Sequence, residues 1–318
     1  MKKNNLLLIA FNIYSFLAVA QSADTVKSAP KNWTMSGVLN INFAQSSFTN
    51  WAAGGQNALS VSSLFNSFAN YKKDKNTWDN SLVLAYGMLQ SGTGALQKNE
   101  DKIDISSKYG RYAFAQHWYY AALVSFKSQF ANGYNYPNDT VVISHFLAPG
   151  YALAAIGMDY KTTDNSLSLF ISPVTERTII VNDQRLADAG AYGATAAKSD
   201  VINGVSTVVK KGEKINNQFG SYLKIVFKKD VITNVNVSSK LELFSNYLKN
   251  PQNIVVNWEN IITFKVNKYI SSNISTVMIY DHNIPVPVNR DINGVQVTGV
   301  GPRLQFKEVL ALGLTYKF

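Results

Sequence analysis

The sequence predicts an all-β protein: a single transmembrane antiparallel β-barrel of about twelve strands, with short periplasmic turns and long extracellular loops. Three observations predict it. Over Pro302–Phe318, the bulky set Leu304, Phe306, Leu310, Leu312, Leu314, Tyr316 and Phe318, broken only by Glu308, alternates with Arg303, Gln305, Lys307, Val309, Ala311, Gly313, Thr315 and Lys317. A two-residue period is a β-strand with one apolar face. Second, the connections between such strands sort by parity: alternate ones are short and the others long, as in barrels that cross a membrane. Third, the uncharged stretch Thr140–Met158 is broken by Pro149-Gly150, leaving no candidate helix. A membrane location then requires closure of the sheet, because lipid satisfies no open strand edge.

The N-terminus reads as a secretory signal over residues 1–20. Lys2 and Lys3 precede the apolar run Leu6–Phe11, and Ala18-Val19-Ala20 precedes Gln21. Residues 21–33 are a polar lead and 34–318 the barrel. No cysteine occurs in the 318 residues, so there is no disulfide framework, thiolate metal site or cysteine nucleophile. The net charge of +10 rests on Lys (25, against 5 Arg). These lysines are spread over many strands and turns without a basic, aromatic-interleaved module, so nucleic acid is not expected as a partner.

Strand one is Thr34–Phe48, where Leu39, Ile41 and Phe43 oppose Val38, Asn40 and Asn42. After the Gly-containing loop Thr49–Asn57 comes strand two, Leu59–Tyr71, and the polar turn Lys72–Asn76. Strand three, Trp78–Leu89, is the cleanest in phase. Strand four (Ile103–Phe114) follows a Gly-rich segment, and strand five is Trp118–Phe130. A long loop leads to strand six (Tyr151–Lys161), a turn at Thr162–Asn165 and strand seven (Leu167–Ser172). The longest irregular piece, Pro173–Asn216, contains a strand-like Val201–Val209. Strands eight to eleven are Phe219–Lys228, Asn234–Leu248, Ile254–Ile270 and Ile274–His282, with Ser271–Asn273 as the last short turn. Trp78, Trp118, Tyr160, Tyr247, Tyr269, Tyr316 and Phe318, near strand ends, suit interfacial girdles.

The charges expected on the inner face are Asp79, Asp104, Lys108, Lys127, Asp159, Lys161, Lys224, Lys240, Glu242, Glu259, Lys265 and Asp281. They either line a narrow aqueous passage or pair across it and plug it, and plugging leads; mixed signs do not indicate ion selectivity. Trp51, Gly54, Gly55 and Asn57 are a candidate loop plug over the mouth. Tyr316 and Phe318 form a candidate C-terminal assembly signal. No catalytic, metal or cofactor site is expected. Of three histidines, His117 lies in a turn, His145 beside Ser144 in a loop, and His282 beside Asp281. Adjacent strand residues point to opposite faces, so Asp281 does not orient His282. A barrel-embedded hydrolase using His145 or His282 is the enzymatic alternative, and a secreted soluble β-protein a third.

Asn50–Asn57 (NWAAGGQN), Ile156–Lys161, Leu167–Pro173 and Ala187–Gly193 resemble motifs of the Bacteroidota outer-membrane β-barrel family catalogued as domain of unknown function 3078 (DUF3078). The resemblance implies a signal-bearing barrel of a Gram-negative outer membrane and assigns no activity or residue role. The expected function is a structural or accessory barrel of the cell envelope, or a narrow porin-like passage for small solutes. Expected partners are outer-membrane lipid and lipopolysaccharide, the outer-membrane assembly machinery and envelope proteins; no cofactor is expected.

Overall fold

A computed structural model describes residues 32–47, 57–202, 205–292 and 295–318. The signal segment 1–20, most of the lead 21–33, and Trp51, Gly54 and Gly55 lie outside the described residues. In chain order the strands are β1 (Trp33–Ser46), β2 (Ala58–Lys73), β3 (Asn76–Ser91), β4 (Gln97–Tyr112), β5 (Trp118–Ser128), β6 (Gly133–Tyr134), β7 (Val142–Ser144), β8 (Gly150–Lys161) and β9 (Leu167–Ile180). After a short helix α1 (Gln184–Asp188) come β10 (Lys198–Ile202), β11 (Val205–Lys210), β12 (Ile215–Ile232), β13 (Val235–Asn246), β14 (Val255–Lys265), β15 (Ile270–Tyr280), β16 (Pro285–Ile292), β17 (Val295–Pro302) and β18 (Gln305–Lys317).

Twelve of these close into one antiparallel barrel in the ring order β1, β2, β3, β4, β5, β8, β9, β12, β13, β14, β15, β18. The other six form three two-stranded hairpins in the long loops. Ring closure runs from Val38 opposite Lys317 to Phe43 opposite Leu312. Every connection at one end has five residues or fewer, and all the longer loops lie at the other, together with the five-residue connection 92–96. Left-handed residues make the tight turns: Asp74 (φ 50°), His117 (70°), Asn165 (54°) and Asn234 (64°). Asp and Asn tolerate that conformation better than most side chains.

The medium around the barrel is written in its exposure. Leu310, Leu312 and Leu314 are 68%, 59% and 54% exposed, so this apolar face looks outward and not into a core between two sheets. Val124, Ile156 and Phe306 share that outer face. Aromatic rings collect at the turn end, with Trp33 packed on Trp78 (5.6 Å between centroids) and Trp118 on Tyr160 (5.3 Å). The interior mixes polar and charged side chains with an apolar cluster of Ala121, Leu123, Ala155, Phe170, Tyr222 and Phe244. This inside-out arrangement is what a hydrocarbon solvent selects.

Two boundaries correct the sequence reading. Strand seven does not stop at Ser172 but runs as β9 to Ile180. Pro173 lacks the N–H that ladder pairing needs, and both neighbours step around it with register shifts, at Ile156/Met158 and Gly220/Tyr222. The other is the last short turn. It is residues 266–269, and Ser271–Asn273 belongs to β15; Asn267 makes the turn by accepting from the N–H of Tyr269 and of Ile270, both at 2.8 Å. In the last loop, β16 and β17 form a hairpin that the Pro and Gly content had hidden.

Candidate functional site

The lumen is bridged by side chains from opposite walls. β4 and β14 lie diametrically across the ring, yet Lys102 Nζ reaches Glu259 Oε2 at 2.7 Å. Beside it Lys240 of β13 binds Asp104 of β4 at 2.9 Å and Glu259 at 3.2 Å. Lys127 of β5 pairs with Glu242 of β13. Glu242 also accepts from the Tyr222 hydroxyl (2.7 Å) and from Asn257 Nδ2 (3.0 Å). Lys224 donates to Ser106 Oγ at 3.2 Å. Four lysines thus meet three carboxylates in one central network, each acid held by at least one cation, as burial of charge requires.

Smaller clusters lie above and below. Toward the turn end, Lys108 pairs with Asp159 (2.6 Å) and Lys161 with Asp79 (2.5 Å), while Ser168 donates to Asp159 and accepts from Lys108, both at 2.8 Å. Toward the loop end, Arg177 binds Asp281 and Gln218, each at 3.1 Å. Its guanidinium lies over the rings of Tyr151 (5.4 Å) and Phe244 (5.5 Å).

Of the twelve charges expected inside, Lys265 keeps the phase of Glu259 but sits at the turn-end rim, bonded at 3.1 Å to Asp230, a side chain 61% exposed. The other eleven join the three clusters. Lys102, Arg177 and Tyr222 were missed. Lys102 shares the phase of Asp104, Ser106 and Lys108, but the expected strand four starts at Ile103, six residues after the true start at Gln97; Arg177 lies beyond the expected stop at Pro173. Asn57 of the candidate loop plug stands at the foot of β2, its carbonyl accepting from Gly92 N at 2.6 Å. Tyr316 and Phe318 lie on the outer face with stacked rings 6.1 Å apart.

At the loop end, residues 129–149, 181–197 and 211–214 cap one side of the mouth over a small core of Ala148, Ile179, Val181, Leu186 and Ala187. Asp183 caps α1, accepting from Leu186 N at 3.0 Å, and this bond holds its carboxyl below the ordinary value. Asp188 accepts from Gln184 Nε2 and Gly212 N, both at 2.7 Å, with the same effect on its carboxyl. Tyr192 Oη donates to Ile143 O at 2.6 Å, and Arg185 donates to Val142 O. His145 Nε2 stands 3.5 Å from Asp183. Asp281 faces Arg177 while His282 Nδ1 lies 3.4 Å from Tyr280 Oη; both follow the end of β15 at Tyr280, so their divergence is set by the turn and not by the strand period.

Residues 43–134 match the family model described as "Protein of unknown function (DUF3078)". Over this segment the chain is similar to that family. The matched span includes Lys102, Asp104, Lys108 and Lys127, the β4–β5 side of the lumen clusters. Of the four motifs that resembled the family, only Asn50–Asn57 falls inside the matched span. No curated protein matches the sequence. In shape the chain is similar to an outer-membrane channel from Pseudomonas putida F1, with a TM-score of 0.39 and 11% identity over 93% of this chain and 100% of that one. It is also similar to the translocator domain of the autotransporter NalP from Neisseria meningitidis, with a TM-score of 0.35 and 8% identity over 98% and 97%. Likenesses of this degree carry no functional information.

Proposed function

We propose that the protein is an outer-membrane β-barrel whose lumen is closed by its own ion pairs, a structural or accessory component of the envelope and not an open pore. The carrying observation is the direct Lys102–Glu259 contact between opposite walls; a diffusion pore keeps its centre clear. The apolar outer face supports residence in lipid, and the parity of the connections supports periplasmic turns and external loops. Export by the N-terminal signal, contact with lipopolysaccharide and delivery by the barrel-assembly machinery complete this reading. No histidine chemistry enters it. Purified protein in planar bilayers tests it: insertion without conductance steps is expected, and regular steps from the wild-type chain overturn it.

A second reading, a narrow passage for small solutes, has one observation in its favour. β1, β2 and β15 line their side of the lumen with Asn40, Asn42, Ser60, Ser62, Asn66 and Ser275, all uncharged and partly exposed. Liposome swelling in small neutral solutes distinguishes the two, since the closed barrel gives none.

A further inference from the structure

We propose that the recess at the loop end, between β4, β18 and the 129–149 loop, is a binding site for a neutral, hydroxyl-rich ligand of the saccharide class. The recess encloses about 320 Å³, the low end of the range for small-molecule sites and room for a monosaccharide or small disaccharide. It lies above the central network, so it is open to the loop side even with the lumen closed.

Its charges cancel. Lys98 pairs with Asp101 at 2.7 Å, and Lys307 reaches across from β18 to pair with Glu100. Two cations against two carboxylates leave neither an anion nor a cation an uncompensated partner. What remains is a smaller set of neutral polar groups, the Ser144 and tyrosine hydroxyls and the side-chain oxygens of Asn99 and Gln129, whose amide nitrogens donate to Ser60 Oγ (2.9 Å) and His145 O (3.1 Å). Sugar hydroxyls donate and accept at once, and a strongly charged ligand would have to break one of the pairs.

The recess also has an aromatic wall. Tyr134 and Tyr136 line it with ring centroids 6.0 Å apart and planes at 58°, offering apolar ring faces to the C–H face of a pyranose while their hydroxyls serve its edge. The wall is built in place before any ligand arrives. Asp101 accepts from the backbone N–H of Phe130 (2.7 Å) and Ala131 (3.0 Å). Lys98 Nζ donates to Ala131 O at 2.7 Å, and Lys98 N donates to Tyr136 Oη at 3.2 Å. β6 and β7 pair Gly133 with Ser144. A β-carbon on Gly133 would stand 2.3 Å from Ser144 Oγ, so glycine permits this close approach. Such preorganisation lowers the ordering cost of binding.

The test is saturation-transfer NMR and titration calorimetry on the full chain in detergent. The neutral probes are glucose, maltose and N-acetylglucosamine, and the charged ones glucuronate and glucosamine. At least one neutral probe is expected to bind in preference to both charged ones. Tyr134→Ala is expected to weaken it about five- to tenfold, the value of a lost ring contact, with Tyr134→Phe retaining most of the affinity. Heat-modifiable gel mobility reports that both variants fold. Lack of binding by all three neutral probes at tens of millimolar, preference for a charged probe, or equal affinity of folded Tyr134→Ala and wild type each overturns the proposal. The experiment needs no lumen closure, so it succeeds or fails independently of the conductance result.

Discussion

The ring of Phe318 occupies the space above Gly37: a β-carbon placed on that glycine would lie 2.1 Å from the ring. The same two residues exchange backbone bonds, Gly37 N to Phe318 O at 2.9 Å and Phe318 N to Gly37 O at 3.1 Å. Phe318 also stacks on Phe65 at 6.1 Å. Ring closure between the first and last strands is thus clamped at the turn end by an aromatic that needs a glycine beneath it. Gly37→Leu is expected to abolish the heat-modifiable form on gels. Phe318→Ala, which loses the stacking on Phe65 and Tyr316, is expected to cost about 1–3 kcal/mol in urea unfolding; a Gly37→Leu protein that closes normally contradicts the clamp.

Glu259 answers both Lys102 and Lys240. Glu259→Ala is expected to destabilise the barrel by about 2–3 kcal/mol, somewhat under the value for breaking a wholly buried pair, because these side chains keep some solvent. The double variant Lys102→Met with Glu259→Leu removes both charges and is expected to recover most of that loss. Unfolding in detergent measures both; a single variant as stable as wild type would show that the bridge across the lumen contributes nothing.

Gly220 and Gly157 flank the Pro173 detour. A β-carbon would stand 1.8 Å from Ser245 O at Gly220 and 2.0 Å from Ile171 O at Gly157, backbone atoms that cannot step aside. Gly220→Val and Gly157→Val are expected to prevent folding, while Gly299→Ala, with nothing within 4 Å, is expected to change stability by less than about 0.5 kcal/mol. Yield of protease-resistant barrel gives the readout, and a well-folded Gly220→Val would show that the detour is not needed.

The loop cap carries an acid-side pH dependence. Asp183 has its carboxyl lowered by the Leu186 N–H, and Asp188 by Gln184 and Gly212. Each therefore contributes stability that is complete above the unfolded carboxyl value, about 3.9. That contribution is lost as pH falls through the lower folded value. Amide exchange at Leu186 and Gly212, corrected for intrinsic rates, is expected to be level from neutral pH down to mildly acidic conditions and to rise only below that carboxyl value. Asp183→Asn keeps a good cap and is expected to remove the Leu186 part of the effect; loss of protection near neutral pH would point elsewhere.

The barrel was legible because lipid outside and charge inside impose a two-residue period, which Trp78 to Tyr86 shows without interruption and Pro302 to Phe318 with one break, at Glu308. Where the period was interrupted, the reading failed. Pro173 looks like a strand end from sequence, since only the neighbouring strands reveal that its missing donor is bypassed, and with it went Arg177. The alternation from Val255 onward continues through the residues of the turn at 266–269, which hid that turn and left Lys265 at the strand end instead of within it. The mouth recess had no local signal at all: Lys98 and Lys307 are brought to one place only by closure of the ring.

The hairpin of β10 and β11 stands clear of the barrel, with Val205 to Lys210 exposed throughout. At the opposite end only Thr233 and Asn234 separate β12 from β13. Tolerance to change is therefore polarised along the barrel axis. Foreign peptides grafted between Ile202 and Val205 would disturb no ladder of the ring, whereas one added residue between Ile232 and Val235 would slip the whole pairing of two long strands. The same polarity makes this chain a carrier on which cargo can be displayed from one face only.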